Sequence, residues 1–351
     1  MRRRHHATAR VRVTAAGAVI AALALAGCSG PAPAPTPSAT DSFPVTAPAP
    51  TASAVVTAAP QRVAAIDLAS ADLVAALGGR LAGAPSPGYA APWFDAQLNT
   101  SGLTPTRYHE VPGISLSTVK ALKPDLIVAA DTLLDPDLVG PYTDLGAPVV
   151  SSPGLATADW RDRTREVARA IGRSGSADPL IENATRELAE QTTVYPSLKG
   201  KTFLVLDVTP AAEARIQVHT ARSGQVQFLE AVGMTPAPAM AAAGAPEPGS
   251  TRSSVPAAAA GTLAADVLIV NFPGGRDQRF LQTDPHLKQL PAVASGKGLL
   301  VQTSGPIHQA LDAATPDSFR WAIDNALPDV AETAYLVDHP DQVSPSPSPS
   351  R

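Results

Sequence analysis

Val119-Lys120-Ala121-Leu122-Lys123-Pro124-Asp125-Leu126-Ile127-Val128-Ala129-Ala130 is the stretch from which the fold of this chain can be read. Lys120 and Lys123 suit a helix C-terminus, where exposed carbonyls carry partial negative charge. Pro124 disfavours helical backbone at Lys123, which predicts a helix ending near Leu122. Leu126 to Ala130 is apolar without alternation, the pattern of a short strand buried on both faces. About 140 residues later the arrangement returns: a helix-compatible Ala257 to Leu263, then Ala265-Asp266-Val267-Leu268-Ile269-Val270. Each copy leads through a loop into another apolar run, Ala147-Pro148-Val149-Val150 in the first and Gly298-Leu299-Leu300-Val301 in the second. Two such units predict two α/β lobes, with a cleft between them as the natural ligand site.

Outward from these units, both ends of the 351-residue chain change character. Arg2, Arg3, Arg4, Arg10 and Arg12 precede an apolar run from Val13 to Ala26, which reads as a secretory signal too short for a comfortable membrane span. It ends in Leu25-Ala26-Gly27-Cys28, and Cys28 is the single cysteine. This stretch resembles the lipobox of bacterial lipoproteins, which implies acylation of Cys28 and anchoring at the outer face of the cytoplasmic membrane. Removing the signal takes away five arginines and no acid, so the formal charge moves from −4 to −9. A net acidic body without a basic block argues against nucleic acid as partner.

The expected organisation is a signal and lipobox over 1–28 and a disordered Pro/Ala/Ser/Thr spacer over 29–60. An N-terminal α/β lobe follows over 61–177, then a linking helix over 178–196, a C-terminal lobe over 197–331 and a disordered tail over 332–351. The linking helix opens at Asp178-Pro179, a good N-cap and first-turn pair, and would be about 27 Å long. Ser70 or Asp67 suits the cap of a helix over Ala71 to Leu77, and Asp159 that of one reaching Ile171. Lys201 to Val208 and Arg215 to His219 read as strands, Gly224 to Val232 as a helix, and Thr315 to Ala326 as the last helix. Pro85 to Pro112 reads as one long loop.

This order of elements resembles the substrate-binding lipoproteins of bacterial ABC importers, in the cluster that binds iron–siderophores and cobalamin. Four signatures carry the resemblance: Arg62 to Gly78, Val119 to Val128, Ala264 to Val270, and Asp284-Pro285-His286-Leu287-Lys288-Gln289-Leu290-Pro291-Ala292-Val293. The resemblance implies an α/β fold of two Rossmann-like lobes joined by a single long helix, the helical-backbone type of periplasmic binding protein. It implies a monomer that moves little on binding, takes a ferric siderophore or similar chelate, and delivers it to an ABC permease. Relatives carry one glutamate per lobe for docking on the permease; the corresponding places here hold Ser117 and Ala258, so that contact is in doubt.

Loops after strands line such a cleft. In the first lobe these loops offer Tyr89, Trp93, Phe94, Asp131 and Trp160, whose aromatic rings suit a bulky chelate; for each ring, core packing is the alternative. In the second lobe Arg215, Arg222, Arg276 and Arg279 stand near loop ends, where guanidinium groups could pair with carboxylate or catecholate oxygens. Phe272, Thr303 and Ser304 follow strands directly. His109, His219, His286 and His308 are scattered without the spacing of a metal motif. No Gly-x-Ser-x-Gly, phosphate loop or His-Glu-x-x-His is present, so the chain reads as a binder rather than an enzyme, with no resident cofactor. An envelope interaction protein that keeps the fold without a permease, and a direct metal or cobalamin binder, remain open.

Overall fold

Asp125 and Asp266 organise the two halves in the same way. In the computed structural model, Asp125 accepts from the backbone N–H groups of Gln61 (2.7 Å) and Arg62 (2.9 Å). Asp266 accepts from the N–H of Thr202 (2.8 Å) and from its hydroxyl (2.7 Å). Each aspartate stands before one strand and fastens the start of the parallel strand beside it, so the sequence repeat is a repeat of strand registration. The residues described are 41–49, 53–86, 90–109, 115–129, 136–151, 158–208, 215–246, 249–272, 282–295, 298–303 and 305–342.

An antiparallel ribbon opens them, β1 (Val45–Pro48) against β2 (Ser53–Val56). The first lobe then runs β3 (Val63–Ala65), α1 (Leu68–Ala76), β4 (Leu81–Ser86), α2 (Pro92–Ser101), β5 (Thr106–His109), α3 (Leu116–Ala121), β6 (Leu126–Val128), α4 (Pro136–Thr143) and β7 (Val149–Val150). The strands lie in the order β5-β4-β3-β6-β7, all parallel, the doubly wound arrangement with its reversal between β3 and β6. As the sequence requires, α3 stops at Ala121, and Lys123 turns the chain with φ of 48°. β6 is buried on both faces: Leu126 and Val128 join the main core, while Ile127 packs with Tyr108, Val119 and Leu122 on the other side. Gly83 on β4 leaves the space that Leu122 and Tyr108 fill.

Next come α5 (Trp160–Ala170), with Asp159 accepting from the Arg161 N–H at 2.8 Å, and the linking helix α6 (Ser174–Val194). α6 begins four residues before the expected Asp178, with Pro179 inside it, and at 21 residues is about 31 Å long. The second lobe contains β8 (Thr202–Val208), β9 (Arg215–His219), α7 (Gly224–Ala231), β10 (Thr235–Pro236), α8 (Pro238–Ala242), β11 (Arg252–Pro256), β12 (Val267–Phe272), α9 (Pro291–Ala294), β13 (Gly298–Gln302), α10 (Pro306–Ala313), α11 (Pro316–Asn325) and α12 (Leu327–Asp338). Its order is β11-β9-β8-β12-β13, with β10 also pairing β8; β8, β12 and β13 are parallel, and β9 and β11 antiparallel to their neighbours.

Three expectations change. Pro85 to Pro112 contains α2 and β5 instead of one loop. The stretch expected as spacer holds the β1–β2 ribbon, whose Ala47 and Val56 are buried in the core. The stretch expected as tail holds the last turns of α12 and a short 3-10 turn at Pro340–Gln342.

The two sheets belong to one compact unit, and α11 is the wedge between them. Trp160 of α5 meets Phe319 edge-on at 5.7 Å, Phe228 of α7 meets the same ring at 5.4 Å, and Trp93 of α2 meets Trp321 at 5.5 Å. Thr315 caps α11 by accepting from the Ser318 N–H, and its hydroxyl donates to buried Asp72 on α1.

Candidate functional site

Strand register assembles the site. Asp207 on β8 lies opposite Asn271 on β12 and Gln217 on β9, and Arg252 on β11 lies opposite His219 on β9. Side chains alternate between faces along each strand, so these residues share one face of the second sheet. Asp207 and Asn271 stand within one residue of their strands' C-terminal ends, where open α/β sheets bind ligands.

Most of the polar groups there are paired, the Asn271 side-chain oxygen being buried without a partner among the described residues. His219 Nε2 is 2.7 Å from Asp207 Oδ1 and its Nδ1 is 2.6 Å from Ser223 Oγ. Asn271 Nδ2 donates to Asp207 Oδ1 (2.8 Å) and Gln225 Oε1 (3.1 Å), and Gln225 Nε2 donates to Asp312 Oδ1 (2.9 Å). The Arg252 guanidinium bridges the carboxylates, with Nε on Asp207 Oδ2 and NH2 3.3 Å from Asp312 Oδ2. Burial alone would raise the Asp207 pKa, but His219, Arg252 and the Asn271 amide outweigh it and hold the carboxyl well below the usual range. Burial lowers the pKa of His308, on α10 beside Asp312, despite the opposing pull of that carboxylate, so its neutral form is favoured.

Ser223, His219 and Asp207 have the connectivity of a nucleophile–base–acid triad. Their environment opposes that chemistry. Arg252 is already paired with Asp207, the acid of that trio, and Ser223 is 2% exposed, so its hydroxyl is closed to an incoming substrate. The trio instead acts as a rigid mount for Arg252 and for the start of α7.

Beside this mount is a cavity of about 370 Å³ lined by Ala158 and Arg163 from the first-lobe side, and by Arg222, Ser223, Thr251, Arg252 and Asp312 from the second. Arg163 is buried and donates to the carbonyls of Ala313 (2.7 Å) and Ala314 (2.9 Å), pinning the C-terminal end of α10. Arg222 is exposed and, among the described residues, its guanidinium has no carboxylate partner. The cavity thus offers three guanidiniums, Arg163 on backbone carbonyls, Arg252 bridging carboxylates and Arg222 without a carboxylate partner among the described residues, a surface complementary to anionic oxygen.

The residues expected at the cleft are divided. Arg222 lines the cavity. Trp93, Phe94 and Trp160 are buried among core side chains, and Arg107 lies over the Phe94 ring at 5.0 Å; core packing is the fate of these three rings. Arg215 is exposed on β9 and turned along the strand onto Ser254, donating to its hydroxyl (2.5 Å) and carbonyl (2.7 Å). Phe272 is buried at the end of β12, and half-buried Thr303 donates its N–H to the Phe272 carbonyl (3.0 Å). Cys28, Tyr89, Asp131, Arg276, Arg279 and Ser304 lie outside the described residues. Among the described residues no group of three metal-ligating side chains forms a site, and no helix is long and apolar enough to cross a membrane. Sequence reasoning missed Asp207, Asn271, Arg252 and Asp312. A signal existed for the first two, as each is a polar residue near the end of an otherwise apolar strand.

Comparison with solved structures gives the same architecture. PiaA of Streptococcus pneumoniae TIGR4 in complex with ferrichrome is 21% identical, with a TM-score of 0.72 over 83% of this chain and 98% of that one. A periplasmic solute binding protein from Mycobacterium smegmatis is 24% identical, with a TM-score of 0.65 over 83% and 99%. SirA of Staphylococcus aureus complexed with staphyloferrin B is 18% identical, with a TM-score of 0.62 over 83% and 98%. No protein of curated function matches the sequence significantly. The family model described as periplasmic binding protein matches residues 63–299, from the first strand of one sheet into the last strand of the other, and the chain belongs to that family.

Proposed function

We propose that the protein captures an anionic ferric chelate of the siderophore class between its lobes and passes it unchanged to an ABC-type importer. The carrying observation is the cavity at the second lobe's strand ends, where Arg222 has no carboxylate partner among the described residues and Arg252 is mounted on two half-buried carboxylates. Structural relatives bound to ferrichrome and staphyloferrin B support a ferric siderophore as ligand, while the expectation of negative charge rests on the arginines of this cavity. The triad-like contacts of Ser223 belong to the mount, so the bound chelate undergoes no bond cleavage. Acylation of Cys28 would hold the body at the outer face of the cytoplasmic membrane on the segment before Asp41. A permease partner would have to dock without acids at Ser117 and Ala258.

The test is calorimetric titration with ferric hydroxamate, ferric hydroxycarboxylate and ferric catecholate chelates, with cobalamin and free ferric ion as controls. Binding of at least one ferric chelate is expected, and Arg222→Gln should weaken it about tenfold or more, the value of one charge-assisted hydrogen bond. Binding of cobalamin or the free ion alone, or of nothing in the panel, would overturn the reading.

A further inference from the structure

α5 of the first lobe and α7 of the second meet beside the arginine-lined cavity, and one side chain joins them there. Gln227 is buried in the first turn of α7 and lines the cavity. Helix side chains lean toward the N-terminus, so its amide is carried back over Ser223 and Arg222. Its Nε2 donates to the Arg222 carbonyl (3.2 Å). Its Oε1 accepts from the backbone N–H of Trp160 (2.9 Å), 67 residues away at the start of α5.

Both bonds meet a need. The first N–H groups of a helix have no partner within it. Asp159 accepts from that of Arg161, and Gln227 supplies the acceptor for that of Trp160. On the other side, Thr220 donates its N–H and its hydroxyl to the Thr251 carbonyl, both at 2.9 Å, and the Ser223 N–H donates to the Thr220 carbonyl at 2.9 Å. Arg222 stands between these anchors. Its own N–H reaches the Thr220 hydroxyl at a long 3.4 Å, so the Gln227 bond to its carbonyl is the closer hold.

The surrounding elements keep Gln227 in place. Gly224 leaves the space that the Leu311 carbonyl and Ala314 fill, so α7 begins hard against the end of α10. Arg163, on the same first turn of α5 as Trp160, donates to the carbonyls of Ala313 and Ala314 at that end. The first turn of α5 therefore holds α10 through Arg163 and α7 through Gln227. A glutamine suits the second task because one amide carries a donor and an acceptor together, which a carboxylate or a thioether of the same reach does not.

We propose that Gln227 is a positioning residue for anion capture, fixing the Arg222 main chain against the first lobe so that its guanidinium is presented to the cavity. The role rests on the reading of that cavity as the chelate site, since Gln227 acts on the ligand through Arg222. It makes anion affinity depend on a contact between the lobes, and by reciprocity a ligand held on Arg222 secures the Trp160 bond in turn.

The experiment uses Gln227→Met, which keeps the length of the side chain and removes its donor and acceptor. In the ligand-free, full-length variant, amide exchange at Trp160 should quicken about fivefold or more, and nitrogen-15 relaxation should show added motion at the Arg222 amide, with the β12 amides unchanged. Calorimetric titration with ferric citrate, an anionic probe, should give binding about fivefold weaker than the parent's, the size of one neutral hydrogen bond. In the Arg222→Gln background the same substitution should change affinity by less than about twofold, because the side chain being positioned is gone. An Arg222 amide as ordered in the variant as in the parent would overturn the proposal. So would a fivefold loss in both backgrounds, which would mean that Gln227 touches the ligand itself or acts through general stability. Failure of ferric citrate to bind the parent would count against the ligand reading instead, and the motion of Arg222 in the ligand-free variant would still decide whether Gln227 holds it.

Discussion

Asp207 is half-buried and Asp72 fully buried, and their surroundings push the two carboxyls in opposite directions. Asp207 has His219, Arg252 and Asn271 around it, and its folded pKa is depressed. A depressed acid contributes stability that is complete above its unfolded pKa and is lost as pH falls toward the folded value. Asp207→Asn leaves Arg252 short of a partner, so the variant should lose about 3 kcal/mol near neutral pH, with the difference shrinking in acid. Urea titrations across pH measure this; an equal loss at every pH would mean that packing, not charge, was removed. Asp72 has a Thr315 hydroxyl on one oxygen and, among the described residues, no partner on the other. Burial, then the nearby Asp317 charge, raises its pKa well above the ordinary 3.8 despite the Thr315 bond. Here the sign reverses: stability is withdrawn as pH rises from the ordinary value through the folded one. Asp72→Asn keeps an acceptor for Thr315 and removes the ionisation. It should therefore melt higher than the parent at about pH 8, with the advantage gone near pH 4. Neither aspartate announces this in the sequence. Asp207 sits in an apolar run and Asp72 in an Ala-rich helix, and what sets each apart is a residue over a hundred positions away for Asp72 and neighbours on three other strands or loops for Asp207.

At the level of elements, the parts fixed by local chemistry were legible. Lys123-Pro124 does end α3, Asp159 does cap α5, and the unbroken Leu126–Val128 run does lie buried on both faces. The aspartate before each central strand marks the same registration in both sheets. Less legible were elements held by distant partners. The β1–β2 ribbon is Pro/Ala/Ser/Thr-rich like the residues before it. It is ordered through Ala47 and Val56, which enter the core, and through the Pro48 carbonyl, which accepts from the Ser151 N–H (3.1 Å). The start of α6 was misplaced for the same reason. Asp178-Pro179 is a sound local cap, but the first N–H group, of Ser174, is satisfied by Asp41 at 3.0 Å across 133 residues. Asp41→Ala should thus destabilise the protein by about 1 kcal/mol, as loss of a helix N-cap does. Amide exchange should accelerate at the first turn of α6 while the second sheet is unaffected. Unchanged exchange there would mean that solvent caps the helix equally well.

Across the whole molecule, the question is whether the two lobes behave as one body. The main apolar cluster runs without a break from Val63 and Leu126 in the first sheet to Leu204 and Ile269 in the second. It passes through α11, where Phe319 contacts both Trp160 and Phe228. The linking helix is reinforced along this line by the Arg320–Glu187 pair, and Arg163 ties α5 to the end of α10. A hinge needs few crossing contacts and an element able to absorb backbone change; here the crossing region is a packed core. Aromatic placement in the sequence suggested rings facing a ligand, whereas Trp93, Phe94 and Trp160 are spent on this continuity or on the first lobe. Two consequences follow from the same packing. The radius of gyration measured by X-ray scattering should stay constant within error when the ligand binds, rather than contracting as in a closing clamp. Phe319→Ala should cost about 3–5 kcal/mol, as large buried aromatics do when truncated, and should split the unfolding of the parent into two transitions, because it removes the ring that both lobes share. A variant that still unfolds in a single step, with chelate affinity intact, would place the coupling in α6 alone and leave α11 as ordinary filling.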